Sequence, residues 1–174
     1  MLFRSAEWVS RMNEAVQRGG FAATFGAEDT HVWKIDENHQ LERFRLTDAG
    51  FGFARISSSV ALTPGIVHVG AALYWPAEVS QKFNGQKVQV GIIARTASAN
   101  GSPEFGAVFA TRQAGNSGWH FLKPTGDFTL LSFEFQIPPV AEGYTNEPMV
   151  MIHADPKGAG RAIEVLGVMV RAVP

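Results

Sequence analysis

Residues 127–137 read "DFTLLSFEFQI", and the period of that stretch decides the fold. Leu131, Phe133, Phe135 and Ile137 fall on one side of an extended chain. Ser132, Glu134 and Gln136 fall on the other. Successive side chains of a strand point to opposite faces, so a repeat of two makes one face apolar and the other polar. A helix would scatter the same residues around its axis. Residues 162–173, "AIEVLGVMVRAV", carry the argument further. Ile163, Val165, Met169 and Val173 share one face and Leu166, Val168 and Val170 the other, which predicts a strand buried on both sides.

The rest of the chain after Gly20 has the same character. "GFAATFG", "HVWKI", "LERFRL", "GFARISSSVAL", "GIVHVGAALYW", "KVQVGIIAR", "EFGAVFATRQ", "WHFLKP" and "PMVMIHA" are strand candidates, set apart by Gly, Pro, Asn and Ser. Roughly ten strands at spacings of about 8–12 residues predict an antiparallel sandwich or barrel. Helical periodicity is missing after residue 20, so alternating strand and helix units are not expected. "HADPKGAGRA" reads as a hairpin loop between the last two strands, with Pro156, Gly158 and Gly160 turning the chain. Before Gly20, "SAEWVSRMNEAVQRGG" reads as a helix. Ser5 is its N-cap, Glu7 suits the first turn, Trp8, Val9, Met12, Ala15 and Val16 share a face, and Gly19-Gly20 ends it. Val9, Met12 and Val16 also fit the seam of a coiled-coil stalk. The expected organisation is an N-terminal helix over residues 1–20, the possible end of a stalk or upstream domain, and a β-sandwich over residues 21–174.

Bulk composition removes several function classes. The chain has 174 residues, 45% apolar and 18% charged, with a net charge of −1 and thirteen Phe and four Trp to bury. That suits one domain with a sizeable core. No basic stripe favours nucleic acid. No apolar run is long enough for a membrane helix, and no signal peptide is read at the N-terminus. The absence of cysteine removes disulfides, thiolate metal sites and a Cys nucleophile. "LFRS" at residues 2–5 resembles the translation of a sequencing adaptor, which would make this the distal part of a longer protein. An ordinary N-terminus reads equally well.

A family likeness follows from the order of segments. A strand ends in "LTPG", then come "IVHVGAALYW" and "GQKVQVGIIAR", then "GWHFLKPTGDFTLLSFEFQIP", and the chain closes on "MVMIHADPKGAGRAIEVLGVMVR". This resembles the galactose-binding-like jelly roll of many carbohydrate-binding modules, over about residues 21–173. The resemblance implies an all-β, antiparallel jelly-roll β-sandwich, preceded here by the short N-terminal α-helix. It implies sugar recognition by aromatic side chains on a concave face or rim. It also implies that a structural calcium is possible, with Glu164 and Asp29 as the only carboxylates suggested, too few for a hard-cation site. No other cofactor is implied.

The candidate ligand residues are Trp33, Tyr74, Trp75, Arg112, Gln113, Asn116, Trp119 and His120. An indole covers the apolar face of a pyranose, and amides, Arg and His bond its hydroxyls. Trp119 and Phe121 share one face of their strand and His120 and Leu122 the other. The provisional reading buries Trp119 and leaves His120 the more exposed. Of the adjacent pair Tyr74-Trp75, one must point away from the other. "GNSGW" resembles the nucleophile stretch of trypsin-like serine proteases, but Asn116 replaces the acid and no His stands in a triad context, so turn chemistry explains it. "NGS" at residues 100–102 fits a glycosylation acceptor and equally a turn. The expected function is a non-catalytic carbohydrate-binding module, extracellular or virion-associated if part of an exported or viral protein. Two rivals stand beside it. One is a structural or receptor-binding domain of a viral tail fibre or capsid, a homo-oligomer joined through the helix or a sandwich face. The other is a polysaccharide lyase or hydrolase using Glu134.

Overall fold

The computed structural model describes residues 7, 10–14, 20–24, 33–45, 52–111, 114–141 and 148–174. Its strands, in chain order, are β1 (Phe21–Thr24), β2 (Trp33–Lys34), β3 (His39–Arg45), β4 (Gly52–Ser58), β5 (Ala71–Tyr74), β6 (Lys87–Thr96), β7 (Phe105–Thr111), β8 (Gly115–Asn116), β9 (His120–Leu122), β10 (Thr129–Gln136), β11 (Met149–His153) and β12 (Ala162–Ala172). They form two antiparallel sheets. Sheet A runs β10-β6-β12-β4-β3, with β1 also against β12. Sheet B runs β2-β5-β11-β7-β8, with β9 also against β7. The two pack face to face as a jelly-roll sandwich.

The alternation in β10 comes out as the sequence predicts. Phe133 and Ile137 are buried between the sheets, Leu131 and Phe135 pack beside them, and Ser132, Glu134 and Gln136 face solvent. The interior also takes Ile56, Leu73, Trp75, Phe83, Ile92, Phe105, Phe109, Ile152 and Ile163. Each such side chain contributes about 1.5–3 kcal/mol by leaving water. The strand β12 is buried on both sides as expected, but its faces are not the simple odd and even sets. The register shifts between Val165 and Gly167. This bulge turns Leu166 outward, so Ile163, Val165, Val168 and Val170 all face the interior, while Leu166 and Met169 pack on the outer face of sheet A.

Met12 covers that outer face. It is fully buried against Ile93, Leu166 and Met169. Glu7 and residues 10–14 are helical, as expected, and Arg11 pairs with Glu7 one turn back. Met12 thus packs on the domain's own sheet. Val9 and Val16, the other members of the coiled-coil seam, lie outside the described residues.

Three local expectations need correction. Helix is not confined to the N-terminus, because Ala77–Lys82 is helical. It follows Pro76 and has Glu78 in its first turn and Lys82 in its last, as the helix dipole favours. At six residues it is too short to show a period. The loop 154–161 is not a hairpin, since β11 and β12 belong to different sheets. Asp155 holds it: one carboxylate oxygen accepts from the Lys157 N–H and the other from the Ala159 and Arg161 N–H groups. Gly158 has φ of 70°, and a Cβ there would run into the backbone at Val60 and Ala61. Finally, "GIVHVGAALYW" is a strand only from Ala71. Residues 59–70 instead lie across the outer face of sheet B, tied down by the Leu62 N–H donating to Pro156 O.

Candidate functional site

The outer face of sheet B holds the side chains that alternate with the core set. Ala72, Val108 and Met151 are buried on it, with Val67, Tyr74, Trp119 and Met149 packed around them. Residues 59–70 and Trp119 roof one end. The Trp119 indole N–H donates to Ile66 O at 3.0 Å. The indole lies over Gly106, where a Cβ would come within 3.0 Å of the ring and 2.8 Å of Leu62. A glycine mid-strand thus lets an aromatic ring lie directly on the backbone. Phe121, in register with Gly106, continues the strip and is 48% exposed.

Among the described residues, less covers the other end. Register aligns Tyr74 with Met149, Met149 with Ala110, and Ala110 with Asn116. The row offers an aromatic ring, a thioether, a small floor and an amide. Lys34 on the edge strand β2 reaches back, its ammonium 4.6 Å from the centre of the Tyr74 ring, a cation–π contact. The Asn116 Oδ1 accepts from the Gly118 N–H, which leaves its NH2 group directed elsewhere.

The sequence candidates divide. Tyr74 and Asn116 belong to this row, and Trp119 lies on the same face. Trp75 does not: it is 2% exposed in the core, its backbone N–H bonded to Pro148 O. Alternation after Tyr74 sends its indole inward, so it cannot meet a ligand. Trp33 is half-buried against the interior cluster at the edge of sheet B, the opposite face from the row. The provisional reading of Trp119 and His120 is reversed in facing. Trp119 and Phe121 are on the outer face. His120 and Leu122 point between the sheets, with His120 stacked on Phe133 at 4.3 Å and 11°. His120 therefore does not flank Trp119. Arg112 and Gln113 lie outside the described residues, as does Asp29.

Other motifs are accounted for by local bonding. The Ser117 Oγ accepts from the Phe109 N–H and donates to Gly118 O, as a turn hydroxyl does. Asn100, in the left-handed region at φ 52°, donates its amide to Gly160 O. Glu134 is exposed on the outer face of sheet A and paired with Lys87. Glu164, suggested for calcium, is 2% exposed between two guanidinium groups: Arg55 and Arg95 each approach its oxygens at 2.7 Å. A cation there would face two positive charges, so Glu164 does not fit that role. Among the described residues no group of three or more His, Asp or Glu side chains gathers as a metal site.

The sequence gives no sign of one further cluster. His39 and His153 are buried in T-shaped contact at 4.9 Å, and His153 stands T-shaped to the Trp119 ring at 6.2 Å. Asp36 Oδ1 lies 2.8 Å from His39 Nδ1. An ionised carboxylate only accepts, so the proton is on Nδ1. Burial raises the Asp36 pKa, but the His39 bond and the Asn38 N–H outweigh it and hold the carboxyl below its usual range. The His153 pKa is lowered to about 4, first by burial and then by the His39 charge.

No family model and no curated protein matches the chain. Solved structures do. A CBM22-1 xylan-binding domain from Paenibacillus barcinonensis Xyn10C superposes with a TM-score of 0.57 at 9% identity, over 88% of this chain and 93% of that one. The C-terminal family 22 carbohydrate binding module of Clostridium thermocellum Xyn10B gives 0.53 at 11%, over 87% and 92%. An arabinose-bound α-L-arabinofuranosidase gives 0.54 at 14%, over 86% of this chain but 25% of that one. The chain has the β-sandwich fold of carbohydrate-binding modules.

Proposed function

We propose that the chain is a non-catalytic carbohydrate-binding module whose ligand lies across the strands of sheet B along Tyr74, Met149, Ala110 and Asn116. The observation that carries the reading is this row: a ring, a thioether and an amide around a small floor, on a sandwich shared with sugar-binding modules. Three inter-strand spacings make it about 14 Å long, the length of a short oligosaccharide. The apolar faces of sugar rings would rest on Tyr74 and Met149, and Asn116 would bond hydroxyls.

Non-catalytic action is favoured by the state of Glu134, which lies on the opposite face in an ion pair. Glycoside cleavage needs two carboxylates at a set separation. A module role within a longer chain is favoured by the arabinofuranosidase, of which the matching part is one quarter. The stalk reading is weakened because Met12 is used on the domain's own sheet.

Titration against a panel of oligosaccharides tests the reading. At least one glycan should bind, and Tyr74→Ala should weaken it ten-fold or more, about 1.4 kcal/mol. No binding at millimolar sugar, or binding indifferent to Tyr74, rejects the site. Turnover of any bound glycan by the native protein rejects the non-catalytic part.

A further inference from the structure

The buried pair His39–His153 lies beneath the roof of the candidate site. His153 is 0% exposed at the end of β11, and neither ring nitrogen meets a hydrogen-bond partner among the described residues. The Val60 backbone lies near enough to favour a proton slightly, without hydrogen-bond geometry to the neutral ring. Around the pair stand the elements that roof the face. The Trp119 ring stands T-shaped to His153. Residues 59–70 bond to Trp119 through Ile66 O and to the 154–161 loop through Leu62. The charged groups acting on His153 are His39 on β3, Asp36 in the preceding turn and Asp155 in the loop after β11. The two carboxylates favour its protonation, but Asp155 is committed to three backbone N–H groups and Asp36 to His39 and Asn38.

An imidazole so placed is tolerated only while neutral. A proton on it would be a buried charge offset only by the Val60 backbone and by two carboxylates already engaged elsewhere. We propose that His153 is a positioning residue for the glycan-binding face: neutral, it holds Trp119 and residues 59–70 against sheet B, and taking up a proton when the roof opens keeps the roof open. The inference rests on the carbohydrate-binding reading for its purpose, though not for its test.

The sign follows from the two proton affinities. In the closed form His153 titrates near 4, and exposed to water near its ordinary 6.5. Between those values only the open form binds the proton. The closed form is therefore favoured fully above about pH 6.5, loses ground as pH falls toward 4, and changes no further below. The opening equilibrium should rise about thirty-fold between pH 7.5 and 5.

The Trp119 indole N–H, bonded to Ile66 O, reports opening through its hydrogen exchange, followed by NMR and corrected for the intrinsic rate. Loss of protection by about thirty-fold between pH 7.5 and 5, abolished in His153→Phe, is the expected result. Protection that stays constant, or falls equally in the variant, overturns it. If the variant does not fold, the His153 ring resonance decides: a native ring that titrates near 6.5 overturns the proposal, and one silent above pH 5 supports it. None of these readouts needs a glycan, so failure to bind sugar would reject the function and leave this result standing on its own.

Discussion

The two outer faces of the sandwich solve the same problem differently. On sheet A, Glu164 sits in register between Arg55 and Arg95 and bonds both. Each guanidinium also covers a ring, Arg55 over Phe44 and Arg95 over Phe128. Met12 seals the neighbouring stretch. The charges and rings of that face are largely satisfied by each other. On sheet B, a tryptophan and an irregular segment cover one end of an apolar floor, and Tyr74 and Met149 remain half-buried at the other. A face whose groups are mutually paired has little left for a ligand, whereas one with partly exposed apolar side chains gains by being covered.

The strongest break in this contrast is Glu164→Gln. It leaves two guanidinium groups facing a neutral amide, and a buried partner's loss costs more than a surface pair's. The arginines keep some access to water, with 37% and 22% of their side chains exposed, which moderates the loss to about 2 kcal/mol. Urea unfolding measures it. Glycan affinity of the folded variant should not change. A loss below about 0.5 kcal/mol would class the cluster with ordinary surface ion pairs.

Gly106→Ala should act on the other face and more weakly. The added methyl meets Leu62, whose tip can move, and the rigid Trp119 ring. Overpacking of this kind costs about 1 kcal/mol. The ring should lift, so the Trp119 indole N–H should lose protection at neutral pH and glycan affinity should fall several-fold. Unchanged indole protection would show that Trp119 is not held down by its fit to Gly106.

Much of the fold was legible because alternation is a local property that sheet packing preserves, as in Leu131, Phe133 and Phe135. It failed in β12, where one bulged residue exchanges the faces without any mark in the apolar pattern. Turn residues were legible as turns, but not the strands they join: Pro156, Gly158 and Gly160 make a crossover between sheets as readily as a hairpin. The candidate site was half legible. Parity guaranteed that Tyr74 and Trp75 part company, and it could not say which faces water. For β9, packed at the border of sheet B, parity alone set Trp119 against His120 without fixing the inside. His39 and His153 meet only through the tertiary fold, so no spacing announced them.

The smallest expected effect sharpens the comparison most finely. Lys34 is the described charge that meets the Tyr74 ring, and it touches that ring rather than a carboxylate. Exposed cation–π contacts are worth about 0.5–1 kcal/mol, and β2 is an edge strand, where a lysine also discourages pairing with another chain. On the proposed reading Lys34 steadies the ring from one face and the sugar rests on the other. Lys34→Gln should therefore weaken a neutral glycan about two-fold, and native affinity should not depend on salt, because the ammonium meets a ring rather than the sugar. A rise in affinity would mean that Lys34 covers the very ring face the sugar needs. The open end of sheet B would then be guarded by its own cation, and closer to the self-satisfied face of sheet A than its exposure suggests.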